Sequence, residues 1–397
     1  MKIVFIEPNL KDNFGHVYTV MRAIDDYAKS YRDNKYEFFL VSNENIKNKA
    51  LNSFNKIYPE ATAGCFETKN PTIVKNYITD IIKKFNLKES DGIVFPTAHF
   101  NEIIAAEKLS KKTSSPNFLL HIHQFYPPMQ DSDSIKNKNV YNSNKIRFQK
   151  ILRQNSREKV TIVTTRSEKL NKILSRIARY KLPTIDVPMY LKNNKKSDAE
   201  FSFSFLGDGR REKGLHLFVE SAISLLMKSD EYNFLFHIPN LRYFSEEKLN
   251  NIKLRIDYLK KNYAKNIVLI EKKLTSDEYE EVLQKTKCVI LPYNPLHYDK
   301  RISGIAEECG CLGIPVITSK GTVVGENIDN REQSGIVFKY YKENDTLTTK
   351  SLLNAITTFN KNPDHYENLA TKLKLKFLKK TNINRYIDSC VKLLTKT

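Results

Sequence analysis

The sequence predicts an α/β chain built from two doubly wound domains, each a parallel sheet between layers of helices. Three observations carry that prediction. Short, β-branched apolar runs alternate with longer segments of helical period. The resulting βαβα rhythm occurs twice. A polar, charged stretch without periodicity, residues 191–200, separates the two series. The 397 residues suit two domains, since one takes ~100–200 residues.

In the first half the strand-like runs are Lys2–Glu7 and residues 36–41, 92–96, 117–123 and 159–164. In the second they are Phe201–Leu206 and residues 233–238, 266–270, 287–292 and 315–318. Several are apolar on both faces, as strands buried in a parallel sheet are. Amphipathic stretches such as residues 17–30, 215–228 and 246–263 lie between them, and from about residue 347 the chain reads as helix only. The expected layout is a first domain over residues 1–190, a linker over 191–200, a second domain over 201–375 and a C-terminal helix over 376–397.

Composition narrows the class. Charged residues make up 28%, with 12 Gly and 14 Pro, which argues against a disordered or fibrous chain. There is no Trp, so 22 Phe and 21 Tyr must supply the large apolar groups. The apolar run Ile3–Ile6 is far shorter than the ~7–15 residues of a signal-peptide core or the ~20 of a membrane span, so a cytoplasmic location is expected. Five cysteines form no paired framework, and Cys309-Gly-Cys311 lacks a second ligand pair at zinc spacing; small buried thiols are the expected reading. The net charge of +20 is concentrated in residues 136–196, where 17 Lys/Arg stand against three Asp/Glu. Such an excess suits an anionic substrate or surface, or reflects a generally Lys-rich composition.

Two segments carry the chemistry. In residues 291–317 a strand ends at Pro292, a loop follows, Ser303-Gly304 opens a helix, and Gly313-Ile-Pro315 closes it and starts the next strand. The free N–H groups and the dipole at such a helix start favour a phosphate, and Gly304 lets a diphosphate approach the backbone. One turn further, Glu307 or Glu308 is placed for the sugar hydroxyls of a bound nucleotide; otherwise these are the surface carboxylates of a capped helix. In residues 205–216, Gly207-Asp-Gly209-Arg210-Arg211-Glu-Lys213-Gly214 follows the first strand after the linker. Its glycines make room and its cations neutralise a leaving diphosphate; alternatively it is a basic loop capping a helix.

Together these segments resemble the donor-binding part of family 4 retaining glycosyltransferases, whose pattern has a Ser/Gly loop and then Glu-Ala-x-Ala-x-Gly-x-Pro-Val. Here Ser303-Gly304 and Glu308-Cys-Gly-Cys-Leu-Gly313-Ile-Pro315-Val316 fill those places. The resemblance implies the GT-B fold, two facing Rossmann-like doubly wound domains with C-terminal helices. It selects Glu308 over Glu307 for the ribose hydroxyls of a nucleotide-sugar donor and sets Lys213 on the phosphates. Asp208 stands at the usual Arg position, so Arg210 or Arg211 substitutes, as in bacterial members with Gly-Asp-x-Arg-x-Glu-Lys-Gly. Gly207, Tyr293 and Arg301 are assigned to the donor with these residues. Lys300 stands where the family has a second carboxylate, leaving Arg301 or Asp299 to help hold the sugar ring.

Three features of the first half join the expected site. Gly15-His16 carries the loop after the first strand into a helix; the resemblance places Gly15 at the donor and His16 at the acceptor. One glycine is far short of Gly-x-Gly-x-x-Gly, which disfavours a dehydrogenase. His99, after a strand, is a further acceptor candidate. His121 and His123 lie on one side of their strand by its period of two, and His123 matches the family's strand-end His and is counted as catalytic. Residues 141–157 read as a basic amphipathic helix, suited to an anionic membrane or acceptor, or to packing its apolar side on the sheet.

The expected activity is therefore retaining sugar transfer from a nucleotide sugar to a glycan, lipid-linked or other acceptor, through an oxocarbenium-like transition state. No metal and no other cofactor are expected; Asp131-Ser-Asp133 has the Asp-x-Asp spacing but follows Pro127-Pro128 in a polar loop. Residues 136–196 are the candidate contact with an anionic membrane surface. The rival readings are a sugar-nucleotide epimerase or phosphorylase of the same fold, which would need a different acid/base set, a DNA-modifying glucosyltransferase, a basic nucleic-acid-binding protein, and an inactive nucleotide-sugar-binding relative.

Overall fold

Ile3, Val4, Phe5 and Ile6 are wholly buried, because strand β1 (Lys2–Glu7) sits at the centre of a sheet and is covered on both faces. The structure is a computed structural model. It describes residues 1–8, 10, 15–43, 55–58, 71–123, 146, 149–153, 159–165, 167–192, 199–242 and 245–396. The chain divides into two units, Met1–Tyr190 with Lys380–Thr397, and Leu191–Lys379.

In the first unit, β1 is followed by α1 (Gly15–Ser30), β2 (Glu37–Asn43), β3 (Asn55–Tyr58), α2 (Pro71–Lys84), β4 (Gly92–Phe95), α3 (Phe100–Ser110), β5 (Asn117–Ile122), β6 (Val160–Thr164) and α4 (Glu168–Ala178). All pairings are parallel, in the order β3-β2-β1-β4-β5-β6. Alternation along β1 sends Val4 and Ile6 to the core under α2, α3 and α4, and Ile3 and Phe5 to the core under α1. The C-terminal helix, Ile383–Leu394, belongs to this second core through Tyr386, Ile387, Cys390 and Leu394. Local capping sets the helix starts: Ser167 Oγ accepts from Leu170 N at 3.2 Å at the head of α4.

The second unit repeats the plan. Its elements are β7 (Phe201–Leu206), β8 (Gly209–Arg210), α5 (Leu215–Leu226), β9 (Phe234–His237), β10 (Leu241–Arg242), α6 (Glu246–Asn262), β11 (Ile267–Ile270), α7 (Ser276–Gln284), β12 (Thr286–Leu291), α8 (Pro295–Tyr298), α9 (Gly304–Leu312), β13 (Val316–Ser319), α10 (Val323–Asp329), β14 (Gly335–Phe338), α11 (Asp345–Lys361) and α12 (Pro363–Lys380). The C-terminal helix of the chain is then α13. The main sheet is parallel in the order β11-β9-β7-β12-β13-β14, the same winding as the first. Phe203, Phe205, Phe218, Phe234, Phe236 and Phe359 supply the bulk of one face.

Two details differ from the sequence reading. β3 and β14, each at an edge of its sheet, lie outside the ten predicted runs; β3 is Asn-Lys-Ile-Tyr, with two polar residues out of four, whereas β14 is Gly-Ile-Val-Phe, as apolar as the predicted β4. Residues 215–228 read as an amphipathic helix, but nine of the twelve residues of α5 are buried. Residues of α6 and α11 belong to the same core as α5 and the sheet, so little of the helix is left for water.

Among the described residues no helix is long and apolar enough to cross a membrane. Cys288, Cys309, Cys311 and Cys390 are buried and form no disulfide among the described residues, and Cys65 lies outside those residues.

Phe218 has no exposed surface and meets Phe205, Phe234 and Phe236 at centroid distances of 5.8, 5.8 and 4.8 Å. Phe218→Ala should destabilise the second unit by about 3–5 kcal/mol, read as a lowered urea midpoint. Leu254→Ala, at a side chain 71% exposed, should leave that midpoint nearly unchanged.

Candidate functional site

Within the second unit the winding reverses between the neighbouring strands β7 and β12, and open α/β sheets bind ligands beyond the strand ends at that place. Both chemistry-bearing segments leave the sheet there. After β7 come Gly207, Asp208, β8, a 3-10 turn over Arg211–Lys213, and Gly214 before α5. Gly214 is left-handed, with φ +76°, and any Cβ on it would run into the Pro292 carbonyl just beyond β12. Asn294 N donates to Glu212 O at 2.8 Å, so the two loops are also hydrogen-bonded.

This clasp gathers three cations. Lys213 Nζ lies over Gly207, where a Cβ would come within 2.7 Å of it. Lys213 is half-buried, and among the described residues no hydrogen bond or ion pair reaches its ammonium. Burial, then the charges of Arg210 and Arg301, bring its pKa down to about 7 against the opposing pull of Asp208 and Glu212. Arg210 pairs with Glu212 Oε1 at 3.0 Å and donates to the Tyr298 hydroxyl at 3.4 Å. The Arg301 guanidinium stands 5.3 Å over the Tyr298 ring, which stacks on Tyr293 at 4.0 Å. The Tyr293 and Ser303 hydroxyls are 3.0 Å apart and hydrogen-bonded. Ser303 caps α9, accepting from Ala306 N at 3.3 Å, and Gly304 is that helix's first residue. Three like charges beside a helix N-terminus repel one another unless an anion lies among them, and this arrangement suits a diphosphate.

Of the two candidate arginines, Arg210 joins this group. Arg211 bears electrostatically on Tyr340 and Asp345, the latter 3.6 Å from His216. Lys300 Nζ pairs with Asp299 Oδ2 at 2.7 Å, and Arg301 is engaged with Tyr298.

Further along α9, Glu307 and Glu308 are both buried, so neither is a surface carboxylate. Burial and the neighbouring Glu280 push the Glu308 carboxyl up to about 8. No hydrogen bond reaches it among the described residues. Glu280 is occupied, accepting from Lys192 N at 2.9 Å and Gln284 Nε2 at 3.0 Å. Tyr298, His237 and Tyr279 also belong to this region and were not singled out by sequence. Tyr298 stood inside a recognised segment, five residues after Tyr293. His237 and Tyr279 carried no signal, because the sheet order brings them in from other elements.

The remaining predicted residues lie in the first unit. Gly15, left-handed at φ +78°, begins α1, and the side chain of His16 lies outside the described residues. His99, His121 and His123 gather beyond β4 and at the end of β5, with the last two rings 4.5 Å apart. His123 Nε2 lies 2.6 Å from Pro96 O. Burial brings His99 and His123 down to about 4 and His121 well below its ordinary value, so all three are neutral imidazoles at pH 7. Asp131, Asp133 and much of the 136–196 stretch lie outside the described residues. Within that stretch Ile151 and Leu152 enter the first unit's core while Ile146 is exposed. Among the described residues no group of three or more His, Cys, Asp and Glu is placed to hold a metal ion.

No family model matches the sequence, and no curated protein matches it. Solved structures match in fold over the whole chain. Sucrose-phosphate synthase from Thermosynechococcus elongatus superposes with a TM-score of 0.65 at 12% identity, over 99% of this chain and 98% of that one. The Anabaena protein HepE in complex with UDP gives 0.66 at 12% identity, over 100% of both chains. A glycosyltransferase from Rickettsia africae gives 0.62 at 13% identity, over 100% of this chain and 99% of that one. With the two six-stranded parallel sheets, these likenesses show the GT-B fold.

The lowered pKa of Lys213 fixes a sign for anion binding. Its charge is present below about 7 and lost above, so affinity for UDP should be highest on the acid side and fall as pH rises, by up to about tenfold per unit. Ionisation of Glu308, which lets it accept from ribose hydroxyls, acts in the opposite direction, so calorimetric titration of Lys213→Arg, which keeps its charge, separates the two. That variant should lose most of the slope; an unchanged slope would remove Lys213 from the account.

Proposed function

We propose that the protein is a retaining, metal-independent glycosyltransferase that takes its sugar from a nucleotide sugar bound in the second unit. The observation that carries this is the convergence of Lys213, Arg210 and Arg301 on the N-terminus of α9 at the sheet's switch point. The GT-B neighbours are consistent with it, and HepE has been seen with UDP-glucose bound.

In this reading Ser303 and Gly304 present backbone N–H groups to the diphosphate, and Glu308 holds the ribose hydroxyls. As the bond between the anomeric carbon and the phosphate oxygen breaks, negative charge grows on the leaving diphosphate. The three cations meet that charge in a site that is already organised and partly dry. Lys213, with a pKa of about 7 when the site is empty, takes up a proton from solvent as the donor's diphosphate binds and is a full cation when the bond breaks. The acceptor hydroxyl bonds to the anomeric carbon, and its proton passes to the departing phosphate oxygen. Acceptor contacts are assigned to His16 and His99 and a catalytic contact to His123, each of them in the first unit; Gly15 is assigned to the donor. The acceptor is a glycan or lipid-linked molecule, with residues 136–196 meeting an anionic membrane surface from the cytoplasmic side.

The net charge of +20 is the specific ground for a second reading, nucleic-acid binding or DNA glucosylation. A thermal-shift panel of UDP, GDP, ADP, TDP and CMP with their sugar conjugates separates the two. The correct donor at about 100 times its Kd should add about 2.7 kcal/mol of stability, and Lys213→Ala or Glu308→Ala should abolish the gain. No shift with any nucleotide, beside salt-sensitive binding of duplex DNA, would replace the first reading with the second.

A further inference from the structure

Two buried polar atoms of the second unit have no partner among the described residues and lie in the same neighbourhood: His237 Nδ1 and the Tyr279 hydroxyl. His237 is the last residue of β9, at the ligand-binding edge of the sheet, and is 5% exposed. Its Nε2 lies 3.2 Å from the Lys272 carbonyl, which can only accept, so Nε2 carries the proton and Nδ1 is a bare acceptor. Tyr279, on α7, sets its ring edge-on to the imidazole, at a centroid distance of 5.9 Å and 63° between planes. Folded proteins rarely leave buried polar atoms unmatched, and two together point to a group that arrives from outside.

Their neighbours say which group. His237 bears electrostatically on Lys213 and Asp208, at the phosphate end of the site, and Tyr279 bears on Glu308. The pair therefore spans the interval between the diphosphate cations and the carboxyl assigned to ribose. A vicinal pair of hydroxyls fits that interval, because each hydroxyl can donate to a bare ring nitrogen or carboxylate and accept from a phenol.

We propose that His237 and Tyr279 are specificity-determining residues that read the sugar hydroxyls of the donor's nucleoside, beside Glu308. This rests on the nucleotide-sugar reading of the site. His237 Nδ1 accepts from one hydroxyl, and the Tyr279 hydroxyl bonds to its neighbour. The requirement is for a ribonucleotide; a 2′-deoxyribonucleotide leaves part of this wall unmatched.

The test measures Kd by calorimetry for UDP, GDP and ADP and their 2′-deoxy counterparts on the full chain and on Tyr279→Phe and His237→Leu. The native protein should prefer the ribonucleotide it binds by about tenfold or more, and at least one variant, that of the residue reading the 2′-hydroxyl, should lose most of that preference. Tyr279→Phe keeps the ring and removes a hydroxyl with no partner in the protein, so its thermal midpoint without nucleotide should not fall. A merely structural tyrosine would instead lower that midpoint and leave the preference intact. If the native protein binds a nucleoside diphosphate with no ribose preference, or both variants keep it, the inference is overturned while the donor site stands. If none of the six nucleotides binds, the donor reading falls and takes the inference with it.

Discussion

The site depends on a missing methyl group. Gly214 turns left-handed against the Pro292 carbonyl, and that close approach lets the loop after β7 lie on the loop after β12. Its consequences run outward along both segments. On one side it sets the 3-10 turn that lays Lys213 across Gly207 and directs Arg210 to Tyr298. On the other it seats the Tyr293–Tyr298 stack that carries the Ser303 cap of α9. Residues about 90 positions apart thereby share one anion site, and no single element could have formed it.

Charge placement here works against the empty protein. Lys213 is held short of full protonation and Glu308 short of ionisation, each chiefly by burial. Both are settings that a bound nucleotide would relieve, one by bringing negative charge and the other by bringing hydroxyls. Part of the binding energy of a diphosphate is then spent restoring a charge that folding disfavoured. The first unit shows the same economy with the opposite result: its three histidines are neutral, polar without being cationic.

Much of this was legible in the sequence. Central strands such as β1 and β7 announce themselves because burial on both faces demands an unbroken apolar run, and their bounds could be read to the residue. β3, Asn-Lys-Ile-Tyr, offers no such run, while β14, Gly-Ile-Val-Phe, offers one of only four residues between polar stretches. In the site, Gly207, Gly214, Lys213 and the Ser303-Gly304 helix start were legible because backbone shape and charge restrict those positions to a few residue types. Arg210 and Arg211 were not separable, because adjacent residues where β8 meets the 3-10 turn diverge and spacing holds no information on which one faces the site. His237 and Tyr279 were invisible for a third reason. Each lies outside both motifs, and only the order β11-β9-β7-β12 brings β9 and α7 to the switch point.

The central claim is that the two loops form one nucleotide site within the second unit. Hydrogen–deuterium exchange with and without saturating nucleoside diphosphate tests it most directly, because it reports on both segments at once. The account predicts slowed exchange in residues 207–216 and in residues 303–309 together, with both effects lost in Lys213→Ala. Protection of only one segment, or protection confined to the first unit, would contradict it.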